Sequence, residues 1–121
     1  MTSERTSMAG RLILIAEDEP LIALDISCEL QRYAAEVVLA RTLSEGLRLI
    51  RDNPLSIAII DQQLGFEDAD ELCEALSARE VPFIVYSGRS CDGACLGGEF
   101  LSKPADPDVL IGKVFRMLTP A

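Results

Sequence analysis

Five residues with chemistry in their side chains stand at equivalent points of this sequence. Glu17 and Asp18 directly follow the apolar run LILIA (Leu12 to Ala16), and Asp61 directly follows SIAII (Ser56 to Ile60). Ser87 follows PFIVY (Pro82 to Tyr86), and Lys103 follows EFLS (Glu99 to Ser102). Carboxylates gathered at one place repel one another, and the arrangement becomes favourable when a hard divalent cation sits among them. Mg2+ is the natural choice, because it commonly takes one or two carboxylates and fills its octahedron with waters and phosphate oxygens. A carboxylate in such a site can attack a phosphoryl group while the cation and a lysine neutralise the charge on that group. Asp61, fixed at the end of a buried apolar run, is the candidate nucleophile.

Each residue alone has a plainer explanation. Glu17-Asp18 can be a solvated helix start, Ser87 a turn residue, Lys103 a surface lysine, and Asp61 a cap on the next element. Their joint position at the ends of four apolar runs outweighs those explanations.

The runs themselves read as strands buried on both faces, short and rich in branched residues. Between them lie helical segments. Pro20 fits a first helical turn, and Leu21, Leu24, Cys28 and Tyr33 keep an amphipathic spacing, predicting a helix to about Tyr33. VVLA (Val37 to Ala40) is a strand, and Thr42-Leu43-Ser44-Glu45 has the form of a capping box opening a helix that Asn53-Pro54 ends. Polar residues from Gln62 to Asp68 lead to a third helix near Ala69 to Ala78, with Leu72, Cys73 and Leu76 inward. Asp106 is an N-cap with Pro107 at the first helical position, predicting a last helix with Val109, Leu110, Val114 and Leu118 on one side. Five strands alternating with helices predict a parallel sheet covered on both faces, an α/β doubly wound domain whose ligands bind at the carboxyl ends of the strands.

Composition agrees with one core. The 121 residues are 49% apolar and 26% charged, long enough for one well-packed domain and too short for two. A formal charge of −9 opposes nucleic-acid binding and favours divalent cations. No run is long enough for a membrane span, and Met1 to Arg11 lacks the apolar centre of a secretory signal, so a cytoplasmic location is expected. There Cys28, Cys73, Cys91 and Cys95 should be reduced thiols acting as small apolar residues. CDGACLGGEFLSKP (Cys91 to Pro104) matches two other signatures by chance. The cyclic-dinucleotide synthase motif has a further acidic residue between its glycine pair and Glu-Phe, and a zinc site built on Cys91 and Cys95 lacks a partner pair in a chain without histidine.

From Arg11 to Leu118 the chain resembles the receiver domain of bacterial two-component response regulators, in the stand-alone, single-domain form. The resemblance rests on AEDEP after the first strand, on Asp61 with Leu64 three residues on and Glu71-Leu72 beyond, on YSG, and on FLSKP. It implies a flavodoxin-like strand order 2-1-3-4-5, with a flexible segment at 1–10 and the receiver domain at 11–121. It implies that Asp61 is the phosphoacceptor, taking its phosphoryl group from a sensor histidine kinase or a histidine phosphotransfer protein. Glu17, Asp18, Asp61 and the backbone carbonyl of Gln63 would hold Mg2+. Ser87 would hydrogen-bond the aspartyl-phosphate, Lys103 would pair with it, and Phe100 would be the switch aromatic. Such a protein is no enzyme in the turnover sense, although it assists its own phosphorylation and dephosphorylation. Its output would be contact with a downstream protein, without nucleic acid or membrane.

Three features depart from the usual receiver pattern. Gly65 stands where a proline is common, and Ala69 where a glycine is common. Only sixteen steps separate Ser87 from Lys103, roughly one and a half helical turns fewer than usual, so the fourth helix is expected to be shortened or irregular. The alternative function is a receiver-like binding module that works without phosphorylation. A haloacid-dehalogenase-type phosphatase would need an Asp where Gln63 stands, and a flavodoxin-like cofactor binder would need a phosphate-cradling glycine loop after the first strand.

Overall fold

The computed structural model describes residues 7–88 and 93–119. Its first strand, β1 (Leu12–Ala16), pairs in parallel with β2 (Glu36–Ala40) on one side and β3 (Ile57–Ile60) on the other. A short antiparallel hairpin, β4 (Gln63–Leu64) and β5 (Glu67–Asp68), follows β3. Strands β6 (Phe83–Ser87) and β7 (Glu99–Ser102) complete a five-stranded parallel sheet ordered β2-β1-β3-β6-β7. Leaving out the hairpin, this is the expected order 2-1-3-4-5.

The pleat sends alternate side chains to opposite faces. Ile13, Ile15, Ile57, Ile59 and Ile84 face α1 (Pro20–Gln31) and α4 (Pro107–Leu118). Leu14, Ala16, Ala58, Ile60, Phe83 and Val85 face α2 (Leu43–Asp52) and α3 (Asp70–Ala78). Both faces of the sheet are therefore apolar, which is why its strands read as unbroken apolar runs. Among the described residues no helix is long and apolar enough to cross a membrane.

The caps read from the sequence are present. Thr42 Oγ1 accepts from the Glu45 N–H at 3.2 Å, while the Glu45 carboxylate accepts from the Arg41 N–H at 2.8 Å, one residue earlier than the usual reciprocal bond. Asp106 Oδ1 accepts from the Asp108 N–H at 2.8 Å, with Pro107 opening α4.

Several expectations need correction. Most of the stripe predicted for the first helix faces outward: Leu21 is 76% exposed, Leu24 54%, and Cys28 is exposed too, whereas Tyr33, just past the end of α1, packs against the core. Ala23, Ile26, Ser27 and Leu30 are buried instead. The helix is apolar around most of its circumference, so spacing alone leaves two possible inward stripes, and docking on the sheet selects the one with small Ala23 and Ser27. On α4, Val109 likewise faces out while Ile111 and Phe115 join Leu110 and Val114 inside. Met8 is buried in the α1–α4 layer and its N–H donates to the Tyr33 carbonyl, while residues 1–6 of the segment expected to be flexible lie outside the described residues.

The connection between β6 and β7 contains a 3-10 turn, Gly93–Gly97, against α3, and there is no α-helix in its described part. A Cβ on Gly98 would stand 2.4 Å from the Phe83 ring, so only glycine lets the chain pass that close. Cys73 and Cys95 are buried as expected, while Cys91 lies outside the described residues.

Candidate functional site

Backbone bonds fix the ends of β1, β3, β6 and β7 side by side. The Asp61 N–H donates to the Ala16 carbonyl at 2.9 Å, and the Glu17 N–H donates to the Ala40 carbonyl at 2.9 Å. These bonds continue the parallel ladder one residue beyond the strands and hold Glu17 and Asp61 next to each other. On the far side, Ser87 pairs with Ser102, and the Lys103 N–H donates to the Ser87 carbonyl at 2.9 Å. The Lys103–Pro104 peptide is cis.

The side chains converge from those positions. Lys103 Nζ lies 2.8 Å from Asp61 Oδ2 and 2.9 Å from Glu17 Oε1. Glu17 is only 2% exposed, Asp61 12% and Lys103 19%, so this ion network is shielded from bulk water and from salt. Burial raises the Glu17 carboxyl above its ordinary value; the Lys103 hydrogen bond opposes that, and the charge of Asp61 adds to the rise. For Lys103 burial favours the neutral amine, but its hydrogen bonds and charge interactions with Asp61 and Glu17 prevail and hold the ammonium above its ordinary value. Tyr86 presents its ring 5.4 Å from Lys103 Nζ, within cation–π range, and its hydroxyl accepts from the Ala105 N–H at 3.3 Å.

One carboxylate oxygen from each of Glu17, Asp18 and Asp61 lies within 4.8 Å of the other two. Ligands of an octahedral Mg2+ lie about 2.9 Å apart when adjacent and about 4.2 Å when opposite, so side-chain movements of less than about 2 Å bring the three oxygens onto one ion. The donor set also fits by type, being hard oxygen throughout. Three carboxylates against one ammonium leave an excess of negative charge that a divalent cation would offset.

The hairpin after β3 closes on the same cluster. The Gln63 N–H donates to Asp61 Oδ1 at 3.1 Å, and the Gly65 N–H donates to Asp18 Oδ2 at 3.1 Å. Gly65 has φ +64°, which proline cannot adopt. Replacing the proline usual in receivers thus permits the tight hairpin turn, which leaves Phe66 fully exposed at its tip. Ala69 is buried at the start of α3, its N–H donating to the Gln62 carbonyl at 2.8 Å.

Glu17, Asp18, Asp61 and Lys103 are therefore brought together. Ser87 is buried at the neighbouring strand end, and Phe100 lies partly exposed on β7, paired with Val85. Sequence reasoning marked Gly65 as a departure but missed its bond to Asp18, and it missed the part played by Tyr86. The only signals for them were an aromatic immediately before Ser87 and a glycine where receivers commonly carry proline.

No family model matches the sequence. The response regulator GtcR of Aneurinibacillus migulanus is 30% identical over 119 residues, a match that spans 93% of this chain and 49% of that protein. A CheY-like receiver domain from Methanospirillum hungatei is 26% identical with a TM-score of 0.82, over 89% of this chain and 93% of that one. The receiver domain of a sensor histidine kinase from Pseudomonas aeruginosa, solved with a magnesium ion coordinated in its active site cleft, is 24% identical with a TM-score of 0.79; the match covers 91% of this chain and 98% of that one.

Fold and relatives together define a CheY-like receiver. Over almost its whole length the chain is similar to the receiver domains of two-component response regulators. It spans about half the length of the curated relative that it matches.

Proposed function

We propose that Asp61 accepts a phosphoryl group from a histidine kinase or phosphotransfer protein in a Mg2+-dependent reaction, and that the chain passes the signal on by protein contact in a phosphorelay. The observation that carries this reading is the Lys103 ammonium bound at once to Asp61 and Glu17, with the Asp18 carboxylate beside them. We take the site of action to be the cytoplasm.

Glu17, Asp18, Asp61 and the Gln63 carbonyl would hold the ion. Magnesium, the ion coordinated in the Pseudomonas receiver, is the first to test. When bound it lowers the electrostatic cost of bringing a phosphoryl dianion to a cluster of carboxylates. An Asp61 oxygen then attacks phosphorus, the O–P bond forms as the donor's P–N bond breaks, and the leaving imidazole takes up a proton. Lys103 follows the charge, exchanging part of its contact with Asp61 for the new phosphoryl oxygens. Ser87 donates its hydroxyl to the same group, and Phe100 turns inward as it does so. The aspartyl-phosphate thereby favours one of two arrangements of the face around β7.

Hydrolysis of the acyl phosphate depends on how water reaches it. Gln63, two residues past Asp61, stands nearest in sequence to influence that approach, with its Nε2 now 3.5 Å from the Gly65 carbonyl.

The experiment is intact-mass measurement after incubation with a small phosphoramidate or acyl-phosphate donor. The native chain should gain one phosphoryl group with Mg2+ and none with a chelator, and Asp61→Asn should gain none. Equal uptake by Asp61→Asn would remove Asp61 from the role. Partner binding indifferent to both Mg2+ and donor would favour a phosphorylation-independent binding module.

A further inference from the structure

The motif that first resembled half a zinc site has a different partner in three dimensions. Cys95, in the 3-10 turn, lies with its Sγ 2.8 Å from Sγ of Cys73 on α3, and both residues are fully buried. The two are 22 positions apart in sequence, so this pairing is tertiary, and no sequence spacing announces it. We propose that Cys73 and Cys95 form a redox pair that closes to a disulfide with peroxide as oxidant, fastening the β6–β7 connection to α3.

Geometry favours a disulfide over a shared metal. Two thiolates on one tetrahedral zinc, with Zn–S bonds of about 2.3 Å, sit roughly 3.8 Å apart. The observed separation is much shorter than that, and reaching the disulfide length of about 2.05 Å takes a further approach of less than about 1 Å. The surrounding backbone is already drawn in, because Gly98 brings the chain onto the Phe83 ring. The Cys95 thiol is oriented by a long hydrogen bond to the Asp70 carboxylate, 3.9 Å away.

The chemistry balances with one peroxide. A thiolate of the pair attacks a peroxide oxygen: an S–O bond forms, the O–O bond breaks, and the departing hydroxide leaves as water after protonation. The second thiolate attacks the sulfenic sulfur, so that S–S forms, S–O breaks, and a second water departs. Two thiols are oxidised and one peroxide is reduced to two waters. Because both sulfurs are shielded, peroxide reaches them only when the turn lifts from α3, and the bond then holds the turn down. This connection runs from Ser87 to β7, the strand that Lys103 follows, so the link would restrain the part of the chain between two site residues.

The test uses the chain with Cys28→Ser and Cys91→Ser, which removes the other thiols, treated with hydrogen peroxide under native conditions. The expected result is loss of both remaining thiols to a thiol reagent in denaturant, a mass lower by two hydrogens, and a Cys73–Cys95 linked peptide that reductant abolishes. Hydrogen exchange across residues 93–98 should slow in the oxidised form. Because these substitutions can disturb folding, the wild-type chain is mapped in parallel. Sulfinic acid at Cys73 or Cys95 without a link, persistence of both thiols in the folded protein, or a link to Cys91 in the wild type would overturn the proposal.

Discussion

Lys103 Nζ stands 2.8 Å from Asp61 Oδ2, joining the last strand of the sheet to the third through a shielded ion pair that Glu17 shares. This one ammonium both holds the resting site together and supplies the charge that a transferred phosphoryl group would need. Lys103→Met keeps the apolar stem and deletes the charge, leaving two carboxylates facing each other. In urea unfolding without Mg2+ it should cost about 2 to 3 kcal/mol, the scale of a partly buried ion pair losing one partner. Mg2+ should restore part of that loss, and phosphoryl uptake at Asp61 should slow by at least about tenfold, equivalent to about 1.4 kcal/mol. Unchanged stability and uptake would mean that the contact is incidental.

Asp18 is tied to the hairpin by the Gly65 N–H at 3.1 Å. If Asp18 turns to a metal ion, that bond weakens. Titration with Mg2+ should therefore move the Gly65 amide resonance in a 1H–15N spectrum, whereas in Asp18→Ala it should stay still across the same range. A Gly65 resonance unmoved at saturating Mg2+ would place the ion elsewhere.

The glycines of the shortened connection give a packing test. Gly98→Ala drives a Cβ into the Phe83 ring and should cost about 1 to 3 kcal/mol. Gly112, inside α4 with nothing near its missing Cβ, offers the opposite case: Gly112→Ala should stabilise by about 0.5 to 1 kcal/mol. Urea midpoints of the two variants should fall on opposite sides of the native value.

Glu99 ties β7 to α4 through Lys113 at 3.1 Å and Arg116 at 2.7 Å. The Lys113 hydrogen bond leads the interactions that hold its carboxyl below the ordinary 4.5, with burial opposing them. A lowered folded value means that the carboxylate stabilises the fold fully above its unfolded value and loses that contribution as pH falls through the folded one. Glu99→Gln should thus be slightly less stable than the native chain at neutral pH, and the two should converge well below pH 4.5. A gap of equal size in acid would assign the effect to packing.

Much of this molecule was legible in its residues. Unbroken apolar runs such as LILIA mark strands covered on both faces, and the residues directly after them mark the ligand edge, so Glu17, Asp18, Asp61, Ser87 and Lys103 could be listed before their geometry was known. What escaped depended on contacts between distant segments. The inward face of α1 is chosen by the sheet, because Leu21 and Leu24 are as apolar as Ile22 and Ile26. The hairpin depends on the positive φ of Gly65 and on its bond to Asp18, 47 positions earlier. The Cys73–Cys95 contact has no periodic signal at all. Gly98, in the glycine-rich stretch before Lys103, is explained by the Phe83 ring, which a sequence motif does not reveal.

Locating the phosphoryl group tests the central claim most directly. The chain is incubated with a small-molecule phosphoryl donor and Mg2+, the acyl phosphate is reduced with borohydride, and the modified position is read by peptide mass spectrometry. Conversion of residue 61 from aspartate to homoserine, dependent on Mg2+, is the predicted result. A mark on another residue such as Asp18, or no mark at all with Mg2+ and donor in excess, would contradict it.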